Sequence, residues 1–181
     1  MSLLRNMVVK MKFDELISIF EEHLKSSIQT KRGLTVFVKK RARFEGWLKV
    51  EVCDALTKCG VKVVPEKNNI DITLDNWLIE LKTVVTNYLP DRVPFNSSRN
   101  ITNEIDSIIG DIKDLQGESK SFKKAILFIV YPISSRNLDL WNHRHLKRIS
   151  KYIHKDQFFY VRFQFINDIP GMLYFGNIKD D

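Results

Sequence analysis

A mixed α/β domain with a central sheet between helices is predicted by three features of the sequence. Two stretches near the start, residues 12–27 and 41–59, place apolar side chains at helical spacing. Between residues 61 and 81 the pattern changes to short apolar runs separated by turn formers, which reads as strands. A third helical stretch, residues 101–115, is followed by the apolar run 125–133, the pattern of a strand covered on both faces.

The elements follow in order. In residues 12–27, Phe13, Leu16, Ile17, Phe20 and Leu24 form one stripe opposite acids and lysines. Gly33 marks a turn, and residues 34–38 suit a strand or a helix equally. The second helix, 41–59, carries Phe44, Leu48, Val52, Ala55, Leu56 and Cys59 on one face and stops at Gly60. Residues 61–64 read as a strand and 65–69 as a polar loop. Residues 70–74 and 77–81 read as two strands joined by a tight turn at Asp75-Asn76. Residues 85–100 hold two prolines, two serines and three asparagines, a long loop of the kind that often carries function. The third helix buries Ile101, Ile105, Ile108, Ile109, Ile112 and Leu115. A basic helix over 138–153 precedes strands at 158–166 and 172–178, the last after a turn at Pro170-Gly171. The helix between strands 77–81 and 125–133 permits a right-handed crossover that makes them parallel neighbours, while the three earlier strands form an antiparallel meander.

The 181 residues suit a single domain, 1–181. Hydrophobic content of 44% and charged content of 28% suit a soluble globular chain. No apolar run is long enough to span a bilayer and no secretory signal opens the chain, so a cytoplasmic protein without a membrane partner is expected. Cys53 and Cys59 are six apart, about 600° of helical rotation, so they face apart and are expected to be free thiols. His23, His143, His145 and His154 lack zinc-ligand spacing. A net charge of +7 favours an anionic partner, nucleic acid first.

Three charges interrupt the apolar hairpin. Glu80 and Lys82 are two apart in a strand and share a face. A two-residue turn pairs Leu74 with Trp77, and counting outward sets Asp71 opposite Glu80 on that same face. Neighbouring carboxylates repel unless a cation lies between them, and such hard oxygen ligands suit Mg²⁺ or Mn²⁺. A lysine beside them can hold an attacking water or stabilise charge at a phosphate. Asp71, Glu80 and Lys82 together therefore suit phosphodiester hydrolysis; the plainer alternative is a set of surface ion pairs.

With Asp71 followed by Glu80-Leu81-Lys82, the sequence resembles the PD-(D/E)xK nuclease superfamily of restriction endonucleases, Holliday-junction resolvases and phage-type exonucleases. Ile70 stands where the family name has proline. The order helix-strand-strand-strand-helix-strand over residues 41–133 matches the family core and covers about half the chain; the helix at 12–27 and the elements at 138–178 are terminal additions. The resemblance implies a restriction-endonuclease-like core, a mixed central sheet flanked by helices, and metal-dependent hydrolysis of DNA by an endo- or exonuclease. It implies Mg²⁺ or Mn²⁺ on Asp71, Glu80 and the Leu81 carbonyl, with Lys82 orienting or activating water. It further implies an acid from the first core helix. Glu45, at the edge of the buried stripe near the helix start, is preferred, and Glu51 stays open. Many relatives pair subunits to cut two strands, so the resemblance also implies a homodimer. The competing function is a catalytically inactive nucleic-acid or protein-binding module on the same fold.

Lys39, Lys40, Arg41 and Arg43 lie just before Glu45 and are expected to contact DNA. Arg99 leads into the third helix, whose N-terminus suits a phosphate; capping by Ser98, Asn100 or Thr102 explains the same run. Arg144, Lys147, Arg148 and Lys151 share one helix face, either solvated or in contact with phosphates. The aromatic cluster of Phe158, Phe159, Tyr160, Phe163 and Phe165 reads as core and sheet surface.

Overall fold

The computed structural model of the protein describes residues 10–88 and 100–180. Its strands are β1 (Val64–Lys67), β2 (Ile70–Leu74), β3 (Trp77–Val85), β4 (Lys123–Tyr131), β5 (Ile153–Gln164) and β6 (Pro170–Ile178). They form one mixed sheet in the order β1-β2-β3-β4-β6-β5, with β3 and β4 parallel and every other pair antiparallel. Helices cover both faces and bury separate apolar clusters against it.

One layer is α1 (Phe13–Ile19), a π-turn at Phe20–Leu24, α2 (Lys25–Thr30), α3 (Leu34–Lys39) and α4 (Glu45–Lys58). The ambiguous stretch at 34–38 is therefore helical. The helix that the spacing predicts from residue 41 starts at Glu45, because Arg41 adopts φ 51, outside the right-handed helical region. Its end is as the sequence indicates. Gly60 takes φ 75, its N–H donates to the Thr57 carbonyl at 2.9 Å, and the Val61 N–H donates to Leu56 at 3.0 Å. Those two bonds satisfy carbonyls that the helix leaves open.

The opposite layer holds α5 (Ile101–Gln116) and an irregular helical run at 135–152. The Asn100 side chain accepts from the Thr102 N–H at 2.9 Å and caps α5. Ile101, Ile105, Ile108, Ile112 and Leu115 are buried against the sheet, each contributing about 2 kcal/mol of apolar transfer. That packing fixes which α5 side chains can reach β3. The expected basic helix at 138–153 is a series of pieces: α6 (Leu138–Trp141), a π-turn at Asn142–Leu146 and α7 (Lys147–Ile149), bounded by 3₁₀ turns. Buried Trp141 and Ile149 anchor it, and the Trp141 indole N–H donates to the Tyr174 hydroxyl at 2.9 Å.

Two strand expectations are corrected. The first strand is β1 at Val64–Lys67, which overlaps the predicted strand 61–64 only at Val64 and otherwise takes up the stretch read as a polar loop. All four of its residues are exposed, so no hydrophobic alternation marks it, and backbone pairing with β2 makes it a strand. Asn68 and Asn69, at φ 54 and 65, close that hairpin with the positive dihedrals a tight two-residue turn requires. Pro170-Gly171 is also no turn: both residues pair in β6, opposite Gln164 and Phe163. The reversal lies at 165–169, where the Asp168 N–H donates to the Phe165 carbonyl and Phe165 N–H to that of Ile169, both at 2.9 Å.

Gly171 is required by packing. A Cβ there would lie 2.5 Å from the Phe163 ring, and that ring is itself buried against Phe165 at 5.0 Å between centroids. Gly171→Ala is expected to destabilise the protein by about 1–3 kcal/mol through overpacking; chemical denaturation with an unchanged midpoint would contradict this.

Candidate active site

The β2–β3 hairpin pairs Leu74 with Trp77, Thr73 with Leu78 and Ile72 with Ile79. The next step of that register sets Asp71 opposite Glu80. Asp71 Oδ2 accepts from the Leu81 N–H at 2.9 Å, and the Asp71 and Glu80 carboxyls share a hydrogen bond. Leu78 and Val84 share the face of Glu80 and Lys82 and pack with α5, whereas Ile79 and Leu81 pack with the α1–α4 layer.

The carboxyl pair is electrostatically asymmetric. Burial, the Asp71 hydrogen bond and charge, and the charge of Asp111 push Glu80 up to about 8. Burial also opposes ionisation of Asp71, but hydrogen bonds from Lys49, Glu80 and the Leu81 N–H outweigh it and hold Asp71 below the usual carboxylate range. One proton is thus shared within the pair and resides on Glu80 at neutral pH.

Two residues outside the expected set complete the constellation. Lys49 of α4 places Nζ 2.7 Å from Asp71 Oδ1 and 2.9 Å from Glu66 Oε1. Asp111 of α5 places Oδ2 2.9 Å from Lys82 Nζ. Lys49 had a legible signal, since it stands one helical turn after Glu45 and shares its face. Asp111 had none, because its role depends on how α5 docks. Burial pulls the Lys82 ammonium down, but the ion pair with Asp111, then the charges of Glu45 and Glu80, raise it overall. Burial and the charges of Asp71 and Asp114 raise Asp111 against the opposing pull of Lys82.

Of the two helix acids, Glu45 reaches β3. Its Oε1 accepts from the Thr83 N–H at 3.1 Å, and the Phe44 N–H donates to Thr83 Oγ1 at 3.4 Å, so the start of α4 is tethered beside Lys82. Glu51 is turned to α2, where it accepts from Ser27 Oγ and lies 3.2 Å from Lys31 Nζ. Glu80, Asp111, Asp114 and Glu118, with Asn68 and Asn69, line a cleft of about 320 Å³ beside the pair.

The cations expected at DNA are placed unequally. Lys39 and Lys40 are exposed at the end of α3. Arg43 is half-exposed and makes a bidentate pair with Glu104 at 2.7 and 2.8 Å. Arg41 is corrected: at 3% exposure, its guanidinium donates to the carbonyls of Thr86 and Tyr88 and ties the chain before α4 to the end of β3. Arg99 lies outside the described residues, as do Ser97 and Ser98. Arg144, Lys147 and Lys151 are exposed, while Arg148 pairs with Asp106 of α5. Cys53 and Cys59 are free.

Among the described residues, no three His, Cys, Asp or Glu side chains form a ready-made metal cage. Two carboxyls and a backbone carbonyl still suit Mg²⁺, which keeps several waters and is commonly held by one or two carboxylates. The hydrogen-bonded Asp71–Glu80 pair, with Lys49 already drawn onto Asp71, is a place where positive charge is favoured. Among the described residues, no helix is long and apolar enough to cross a membrane. Compared with known proteins, the chain matches no family model, no curated protein and no solved structure.

Proposed function

We propose that the protein is a metal-dependent nuclease that hydrolyses phosphodiester bonds of DNA on a restriction-endonuclease-like core. The observation that carries this reading is the meeting of the Asp71 and Glu80 carboxyls on the sheet face that also bears Lys82. The α4-β1-β2-β3-α5-β4 order around that hairpin supports it.

In this reading Asp71, Glu80 and the Leu81 carbonyl hold Mg²⁺ or Mn²⁺, which supplies charge to the phosphate and a more acidic water when bound. Glu80 must surrender its proton as it becomes a ligand. Lys82, kept protonated by Asp111, presents positive charge to the reacting phosphate and orients the attacking water. Glu45, fixed by the Thr83 N–H, accepts a hydrogen bond from that water. Lys39, Lys40 and Arg43 contact flanking phosphates, which adds affinity without sequence readout. Cutting both strands of a duplex takes a homodimer.

The second reading, a catalytically inactive binding module, draws on the same ion pairs: Lys49 and Lys82 each already neutralise an acid of the site. Plasmid, linear and branched DNA incubated with Mg²⁺ or Mn²⁺, and with chelator as control, separates the two. Metal-dependent cleavage of at least one substrate is expected; no cleavage with any substrate and either metal would leave the binding module.

A further inference from the structure

We infer that Asp111 is a positioning residue that holds Lys82 away from the Asp71–Glu80 pair, which Lys49 meets only at Asp71, and so leaves the Glu80 side of that pair to a divalent cation. The inference rests on the nuclease reading for its consequence, but its geometry stands on the structure alone. Lys82 lies two residues from Glu80 on one face of β3, and Glu45 and Glu80 both act on its charge. A lysine ammonium is a compact charge on a flexible four-carbon stem and can pair with a carboxylate within its reach. Lys49 already does so, 2.7 Å from Asp71. Lys82 instead meets Asp111 at 2.9 Å. Asp111 is presented from the opposite element, on the α5 turn whose neighbours Ile108 and Ile112 are fully buried. It therefore offers Lys82 a rigid anionic partner outside the pair. Without that partner, the ammonium is drawn into the place a metal ion would take.

The test has a structural arm and a metal arm. In a metal-free crystal structure of Asp111→Asn, Lys82 Nζ is expected within hydrogen-bond distance of the Asp71 or Glu80 carboxyl. Nζ still beside residue 111, or extended into solvent, would overturn the inference. In the metal arm, Mn²⁺ binding without DNA is read by electron paramagnetic resonance. Asp111→Asn should weaken it by about tenfold to a hundredfold. Asp111→Asn combined with Lys82→Met should regain the affinity of Lys82→Met alone, and Asp111→Glu should stay near wild type. An equal loss in both lysine backgrounds would make Asp111 a direct ligand and overturn the positioning role. Wild type that binds no Mn²⁺ would overturn the nuclease reading and the metal consequence, while the crystal still decides where Lys82 goes.

Discussion

In the nuclease reading, Lys82→Ala is expected to lower metal-dependent DNA cleavage by about 10²–10³-fold, the scale of losing one preorganised group that stabilises developing charge. The environment of Lys82 selects an electrostatic role over that of a proton acceptor. Asp111 at 2.9 Å and the charges of Glu45 and Glu80 outweigh burial and hold the ammonium protonated. A protonated lysine cannot abstract a proton from water, but it can orient that water and offset charge on the phosphate. Lys82→Arg should therefore keep more activity than Lys82→Ala, although its planar fork fits the Asp111 partner differently. Single-turnover cleavage under saturating Mg²⁺ measures both variants, with circular dichroism to show that the fold is kept. An alanine variant that cuts at the wild-type rate would remove Lys82 from the mechanism.

The metal-free protein is expected to lose stability as pH rises from about 4.5 to about 8. The ordinary glutamate value is 4.5, and the folded environment raises Glu80 to about 8. Across that window the folded chain holds a proton that the unfolded chain has released, so raising pH favours unfolding. Asp71 behaves oppositely, since its depressed folded value contributes stability that is lost only in acid, as pH falls through that value. Glu80→Gln removes the ionisation while keeping a hydrogen-bond donor toward Asp71. Its Tm should fall less than that of wild type across the window and, at pH 9 with chelator, exceed wild type by on the order of 5 °C. In the nuclease reading, added Mg²⁺ abolishes the wild-type slope, because the cation takes the place of the proton. Calorimetric scans at pH 5, 7 and 9 decide it; identical curves for wild type and Glu80→Gln would show that no proton is held there.

Both expectations depend on residues of different legibility. The Asp71–Glu80 pairing was readable because it is local arithmetic. A two-residue turn fixes the register, and a period of two then puts residues 71, 80 and 82 on a common face. The parallel β3–β4 pair was readable too, since the α5 pattern between them requires a crossover. The exposed β1 strand was not, as nothing in Val64–Lys67 alternates. Arg41 reads as one of a run of surface cations until Thr86 and Tyr88 are seen to present carbonyls to it.

By itself, the sequence determined the mixed α/β class, the helical faces, the hairpin and the three charges that share one of its faces, because each follows from periodicity or from a turn of known length. Only the tertiary structure set Glu45 against β3 and turned Glu51 to Ser27, buried Arg41, and brought Lys49 to Asp71 and Asp111 to Lys82. Those outcomes depend on the angle and depth at which α4 and α5 dock on the sheet. Docking is set by the summed packing of many apolar side chains, so no spacing along the chain records which charged residue will arrive opposite another.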